Sequence, residues 1–116
     1  MYRLLVVEDE PAQRLLLSDE LRDAGYAVTE VDSGEAALEL LSVEEFDLMT
    51  LDLQMPGISG LEVLDEVSRL WPDLPVIVCT AYGDKKQDFR SWAANDYWVK
   101  SDDLSELLEK IEAALA

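Results

Sequence analysis

Short apolar runs alternate along this chain with stretches whose apolar residues recur every three or four positions. The clearest run extends from Phe46 to Leu51, broken only by Asp47 and Thr50, and stops at Asp52 before a turn made by Pro56 and Gly57. Such a run reads as a strand buried on both faces of a parallel sheet. Four more strands follow the same logic: Arg3 to Val7, Tyr26 to Val31, Val76 to Thr80, and Tyr97 to Lys100.

Helices fill the intervals. Pro11 is suited to a first helical turn and Glu8, Asp9 and Glu10 to the positive end of its dipole, so a helix is expected through Leu15, Leu16, Leu17 and Leu21, ended by Gly25. A second opens at Asp32 or Ser33, with Glu35 in capping-box spacing from Asp32, and turns Ala37, Leu38 and Leu41 inward. Ser59 and Glu62 form another capping box ahead of Leu61, Leu64, Val67 and Trp71; Pro72 and Pro75 close that helix. The stretch 82–94 offers only Phe89, Trp92 and Ala93 as an inner stripe and reads as a short helix. Ser101, Asp102 and Asp103 cap a last helix carrying Leu104, Leu107, Leu108, Ile111 and Leu115. The pattern is α/β, a (βα)5 doubly wound sheet of five parallel strands. Right-handed crossovers in a sheet of this size favour the order 2-1-3-4-5, with the switch point beside strands 1 and 3.

Composition narrows the function. The 116 residues, with no linker or repeat, are expected to form one domain. A net charge of -17 argues against sequence-independent nucleic-acid binding and favours cationic partners. The chain has no histidine, which excludes His-based metal sites and triads. Its one cysteine, Cys79, lies in an apolar run and suits a reducing, cytoplasmic setting. No apolar segment approaches the roughly 18 residues needed to span a membrane, and no basic-then-apolar leader is visible.

The carboxyl ends of parallel strands share one edge, so Glu8 and Asp9, Asp52, Thr80 and Lys100 can converge from four strands. Three crowded carboxylates repel, by several kcal/mol per close pair at an effective dielectric of about 20. A hard divalent cation, Mg²⁺ or Mn²⁺, together with Lys100 offsets that repulsion. The set suits phosphoryl transfer: Asp52 as nucleophile, the metal and Lys100 on the equatorial oxygens, and the Thr80 hydroxyl bonding one of them. Each member alone has a plainer use, as a turn residue, a helix-dipole partner, a strand-end cap or a solvated charge. Only the match of all four strand ends together points to a site.

Four stretches carry a resemblance: Leu4-Leu-Val-Val-Glu-Asp-Glu-Pro11, Leu51-Asp-Leu-Gln-Met-Pro-Gly-Ile-Ser-Gly60, Val78-Cys-Thr-Ala-Tyr82 and Asp96-Tyr-Trp-Val-Lys100. Together they resemble the receiver domain of two-component response regulators, over essentially the whole chain. The resemblance implies a flavodoxin-like fold that accepts a phosphoryl group from a sensor histidine kinase or histidine phosphotransfer protein. It implies Asp52 as phosphoacceptor, Asp9 as a direct Mg²⁺ ligand, Glu8 as a ligand through water, and Gln54 as a backbone-carbonyl ligand. It makes Thr80 and Tyr97 a switch pair and Lys100 the phosphate-contacting lysine, with the domain catalysing its own phosphorylation and dephosphorylation.

Three departures from the family pattern stand out. Ser101 follows Lys100 where the family usually has a cis proline; a cis bond before serine costs about 2.5–4 kcal/mol, so a trans bond is expected, a strained cis bond being the alternative. The segment between Thr80 and Tyr97 is short, so its helix is expected to be truncated or shifted. Asn95, in the turn before strand 5, tolerates a left-handed conformation. Tyr82 is expected to restrict the water that hydrolyses a phosphoaspartate. Lys85, Lys86 and Arg90 in the fourth helical segment face the charge of Asp102, Asp103, Glu106 and Glu109 in the last helix, which suggests a homodimer through those two elements and strand 5. Two other readings compete: a degenerate receiver that binds partners without phosphorylation, and a flavin-binding flavodoxin or small enzyme. The second lacks a Gly- or Ser/Thr-rich phosphate cradle after strand 1.

Overall fold

The computed structural model describes residues 1–53, 57, 59–81, 94–101 and 103–116. Five strands, β1 (Arg3–Val7), β2 (Ala27–Val31), β3 (Leu48–Asp52), β4 (Val76–Thr80) and β5 (Asp96–Val99), form one sheet. All neighbours are parallel, and the order is β2-β1-β3-β4-β5, as the alternation of elements predicts. Helices α1 (Pro11–Asp23), α2 (Gly34–Leu41), α3 (Gly60–Leu70) and α4 (Ser105–Leu115) pack on it. Of the helix expected in 82–94, residues 82–93 with Tyr82 and the cations Lys85, Lys86 and Arg90 lie outside the described residues, as do Gln54, Pro56 and Asp102; Ala94 is described and is not helical.

Successive strand residues point to opposite faces, so each apolar strand supplies two cores. Leu5, Val7, Met49, Leu51 and Val78 meet α2 and α3 through Ala37, Leu41, Val63, Leu64 and Val67. Leu4, Val6, Leu48, Ile77, Cys79 and Trp98 meet α1 and α4 through Leu17, Leu21, Leu107 and Ile111. Each large aliphatic side chain buried this way contributes about 1.5–3 kcal/mol, enough to fix the register that carries the strand ends. Burial pushes the Cys79 thiol up to about 12, so it stays protonated inside the second core.

The structure decides several points the sequence leaves open and corrects others. Leu15 and Leu16 are 56% and 39% exposed; α1 turns only Leu17, Ser18 and Leu21 fully inward, because a run of three leucines spans most of a helical turn and only part of it can face the sheet. Ser33, not Asp32, caps α2: its hydroxyl accepts from the Ala36 amide at 3.1 Å, which leaves the Asp32–Glu35 box out of register. The Ser59 box does form, with Ser59 Oγ accepting from Glu62 N at 3.2 Å. Trp71 is not on the face of α3 but ends it, in a non-helical conformation. At α4 the bond is made by Asp103, whose carboxylate accepts from the Ser105 amide at 2.9 Å; Leu104 occupies the cap position without a side-chain bond. Those Ser105 bonds hold the exposed Asp103 carboxyl below its ordinary value.

Asn95 is not left-handed; among the described residues only Gly25 and Gly57 have positive φ. It works instead as a clamp at the start of the sheet's edge. Its amide donates to Val76 O at 2.9 Å and its side-chain oxygen accepts from Val76 N at 2.9 Å. The Lys100–Ser101 bond is trans, since no cis peptide occurs among the described residues.

Candidate functional site at the carboxyl edge of the sheet

The strand ends converge as the topology requires. Glu8 follows the last residue of β1 and continues its ladder, donating its amide to Val31 O at 3.1 Å. Asp52 ends β3 and Thr80 ends β4; Glu8, Asp52 and Thr80 are only 1%, 4% and 2% exposed. Asp9 is half-buried. Carboxylate oxygens of Glu8, Asp9 and Asp52 lie within 4.8 Å of one another, a spacing suited to a shared metal ion.

Lys100 lies just beyond β5. Its amide donates to Thr80 O at 2.7 Å, one further rung of the β4–β5 ladder, and that rung aims the side chain back over the edge. The ammonium stands 2.7 Å from Glu8 Oε1 and 3.3 Å from Asp52 Oδ1. The trans bond to Ser101 therefore does not keep Lys100 away from the acids. Burial, the largest single influence, works against the lysine's charge, but Glu8 and Asp52 together outweigh it and raise its affinity for the proton. Glu8 is shifted upward too: burial acts most strongly, Asp52 adds to it, and Lys100 pulls the other way. Two of the three acids thus share one ammonium, and Asp9 adds a further carboxylate to the cluster.

Hard oxygen donors with one ammonium between them fit Mg²⁺ or Mn²⁺ rather than a softer metal. At an effective dielectric of about 20, two like charges about 4 Å apart repel by about 4 kcal/mol, so a divalent ion would relieve what Lys100 alone does not.

Two supports escaped the sequence reading. Arg14, one turn into α1, donates Nη1 to the Glu8 carbonyl at 2.9 Å and to the Asp9 carbonyl at 3.3 Å, while its Nε lies 3.6 Å from Glu30. It holds the acidic loop against the helix that follows. The available signal was an arginine one turn past an acidic strand end. Gly60 is the second support. A Cβ there would come within 2.4 Å of Leu53 Cα and 2.6 Å of the Asp52 carbonyl oxygen. The glycine lets the start of α3 press against the backbone that carries Asp52, and its amide reaches Leu53 O at 3.3 Å. A glycine just inside a capping box was the clue.

Of the residues expected at the site, the structure brings Glu8, Asp9, Asp52 and Lys100 together. Thr80 stands at the same edge, one position past the Asp52–Cys79 pair. Tyr97 pairs with Val78 farther down β5, with its ring beneath Lys110 Nζ at 5.4 Å.

Replacing Gly60 by alanine should displace Asp52. The expected result is a Mg²⁺ affinity at least tenfold weaker by calorimetry, with a folded circular-dichroism spectrum; unchanged affinity refutes this role. A second outcome concerns pH. The folded protein holds the Glu8 proton more tightly than the unfolded chain, so this group makes stability fall as pH rises through a window that opens above 4.5. Metal needs the carboxylate, so Mg²⁺ affinity should fall as pH is lowered through that window, with proton release on binding. Glu8→Gln should flatten the dependence; a wild-type affinity that does not vary with pH there contradicts it.

The family model for the response regulator receiver domain matches residues 4–112. Response regulator protein FleR of Pseudomonas aeruginosa is 40% identical over 111 residues, 94% of this chain and 24% of FleR. Sporulation initiation phosphotransferase F of Bacillus subtilis is 30% identical over 115 residues, 97% of this chain and 93% of that protein. The chain therefore spans about a quarter of the first relative and nearly all of the second. Response regulator protein TrrA of Thermotoga maritima, solved in complex with Mg²⁺-BeF, is 45% identical with a TM-score of 0.94, covering 99% of this chain and 100% of that one. The structure of histidine kinase ThkA in complex with TrrA gives a TM-score of 0.93 at 45% identity, with both chains fully covered. On the match over residues 4–112 and on these relatives, the chain belongs to the response regulator receiver domain family.

Proposed function

We propose that this domain accepts a phosphoryl group on Asp52 from a phosphohistidine of a sensor histidine kinase or histidine phosphotransfer protein. The observation that carries the reading is the cluster of Glu8, Asp9 and Asp52 with Lys100 at one sheet edge. The complexes of TrrA with Mg²⁺-BeF and with a histidine kinase support it by likeness.

Glu8, Asp9 and Asp52 would hold Mg²⁺ (or Mn²⁺), with the Gln54 carbonyl assigned on its sequence match alone. When bound, the ion supplies positive charge to the phosphoryl oxygens. An Asp52 carboxylate oxygen attacks phosphorus as the phosphorus–nitrogen bond to histidine breaks; the electron pair leaves on the imidazole, which takes up a proton. Asp52 is only 4% exposed, and that burial limits competing water. Lys100, already 3.3 Å from Asp52, exchanges a carboxylate contact for a phosphoryl oxygen without leaving its place on the ladder. Thr80 bonds another oxygen, and Tyr97 follows it as the second half of a switch.

The single-domain reading and a cytoplasmic setting belong to this proposal; a buried unpaired Cys79 supports the latter, and no helix among the described residues is long and apolar enough to cross a membrane. Acetyl phosphate with Mg²⁺ should add one phosphoryl mass to the intact protein. Asp52→Asn should abolish the adduct, and chelation of the metal should slow it by at least a hundredfold. A wild-type protein that stays unmodified would instead favour a receiver that binds partners without phosphorylation.

Homodimerisation through the segment 82–93, β5 and α4 is supported by the exposed acids Glu106 and Glu109 on α4 and by the cations Lys85, Lys86 and Arg90 in the sequence. Sedimentation should show a dimer with beryllofluoride and Mg²⁺ and a monomer without. A monomer under both conditions ends this part of the proposal.

A further inference from the structure

At the end of the sheet opposite the carboxylates, the α2–β3 and α3–β4 connections enclose a cleft of about 770 Å³. Its character is mixed in a specific way. Phe46, Leu70 and Trp71 contribute apolar surface, and Leu70 is 52% exposed. Glu44, Glu45, Asp47 and Asp73 place carboxylates around the same opening.

The chain already shows what this surface does with a cation. The Arg3 guanidinium lies 4.8 Å from the centre of the Phe46 ring. It donates to Glu44 Oε1 at 2.7 Å and to the Glu45 carbonyl at 2.8 Å. An aromatic face flanked by carboxylate and carbonyl oxygens is the environment a guanidinium prefers. Arg3 accounts for Glu44, and its amide donates to Asp47 Oδ2 at 2.7 Å. The side chains of Glu45 and Asp73 remain exposed at the opening, beside Leu70 and Trp71.

We propose that this cleft docks a basic segment of a partner protein, with arginine or lysine against Glu45 and Asp73 and a neighbouring apolar side chain on Leu70 and Trp71. Charge complementarity selects the occupant. A chain of net charge -17 draws cationic partners toward itself, and in this cleft its acids border exposed apolar surface. The inference does not depend on phosphorylation, since the cleft and Asp52 sit at opposite ends of the strands.

The test is a titration of the isotope-labelled protein with the peptide acetyl-Leu-Arg-Leu-Arg-Leu-amide, followed by amide and tryptophan indole shifts. Saturable shifts should concentrate in residues 41–47 and 70–74. Glu45→Gln with Asp73→Asn should weaken binding by roughly fivefold, within the range for two exposed charge contacts. Leu70→Ala should also weaken it, whereas Glu106→Gln with Glu109→Gln, acids distant in the fold, should leave it unchanged. A peptide with glutamate in place of arginine should not bind. Shifts spread across the acidic surface, or equal weakening by the two acid pairs, overturn the proposal. So does binding in the cleft that responds to Leu70→Ala but not to loss of its acids, since that indicates an apolar occupant.

Discussion

An ammonium shared between two buried carboxylates is the contact on which this structure's site depends. Lys100 stands 2.7 Å from Glu8 and 3.3 Å from Asp52, and Glu8 and Asp52 are almost wholly shielded from water. Removing charge from water is costly, and placing like charges side by side adds to that cost. Lys100 offsets part of both. With Asp9 in the same cluster, three negative groups still face one positive group, and that remainder is what suits the edge to a divalent ion and then to a phosphoryl group.

The rest of the fold serves this contact by fixing distance. The two cores alternate residue by residue along β1, β3 and β4, so a shift of one position would turn every buried side chain toward the wrong helices. That penalty pins the register, and the register pins the strand ends. Arg14 then ties the carbonyls of the Glu8–Asp9 loop to α1, and Gly60 lets α3 close against the backbone of Asp52. The Lys100 amide bond to Thr80 links the cation to the same frame. The two ends of the sheet differ in consequence. At the carboxyl edge, charges are buried and paired; at the amino edge, Arg3 on Phe46 leaves a shallower, exposed mixture of acid and apolar surface.

Much of this was legible beforehand. The bounds of β1 and β4, the order of the sheet, the Ser59 cap and the acids at the strand ends all follow from periods of two and 3.6 residues and from short-range capping rules. What stayed undecided clustered where two local signals competed. Asp32 and Ser33 both had cap chemistry, and only the path of the chain into α2 decided for Ser33. Three adjacent leucines in α1 were indistinguishable until the helix had a rotation against the sheet. Asn95 was suited by type to a left-handed turn, yet the neighbouring Val76 gave its side chain a better use.

By itself, the sequence determined the class of fold, the family and which residue types meet at the carboxyl edge, because periodicity and strand ends are properties of a single chain segment. Only the tertiary structure decided which carboxylates the lysine touches, that Lys100 reaches them despite a trans bond to Ser101, and that Gly60 and Arg14 hold the acids in place. Those are contacts between segments far apart in sequence. Their distances follow from how helices settle on a twisted sheet, a quantity no local pattern encodes.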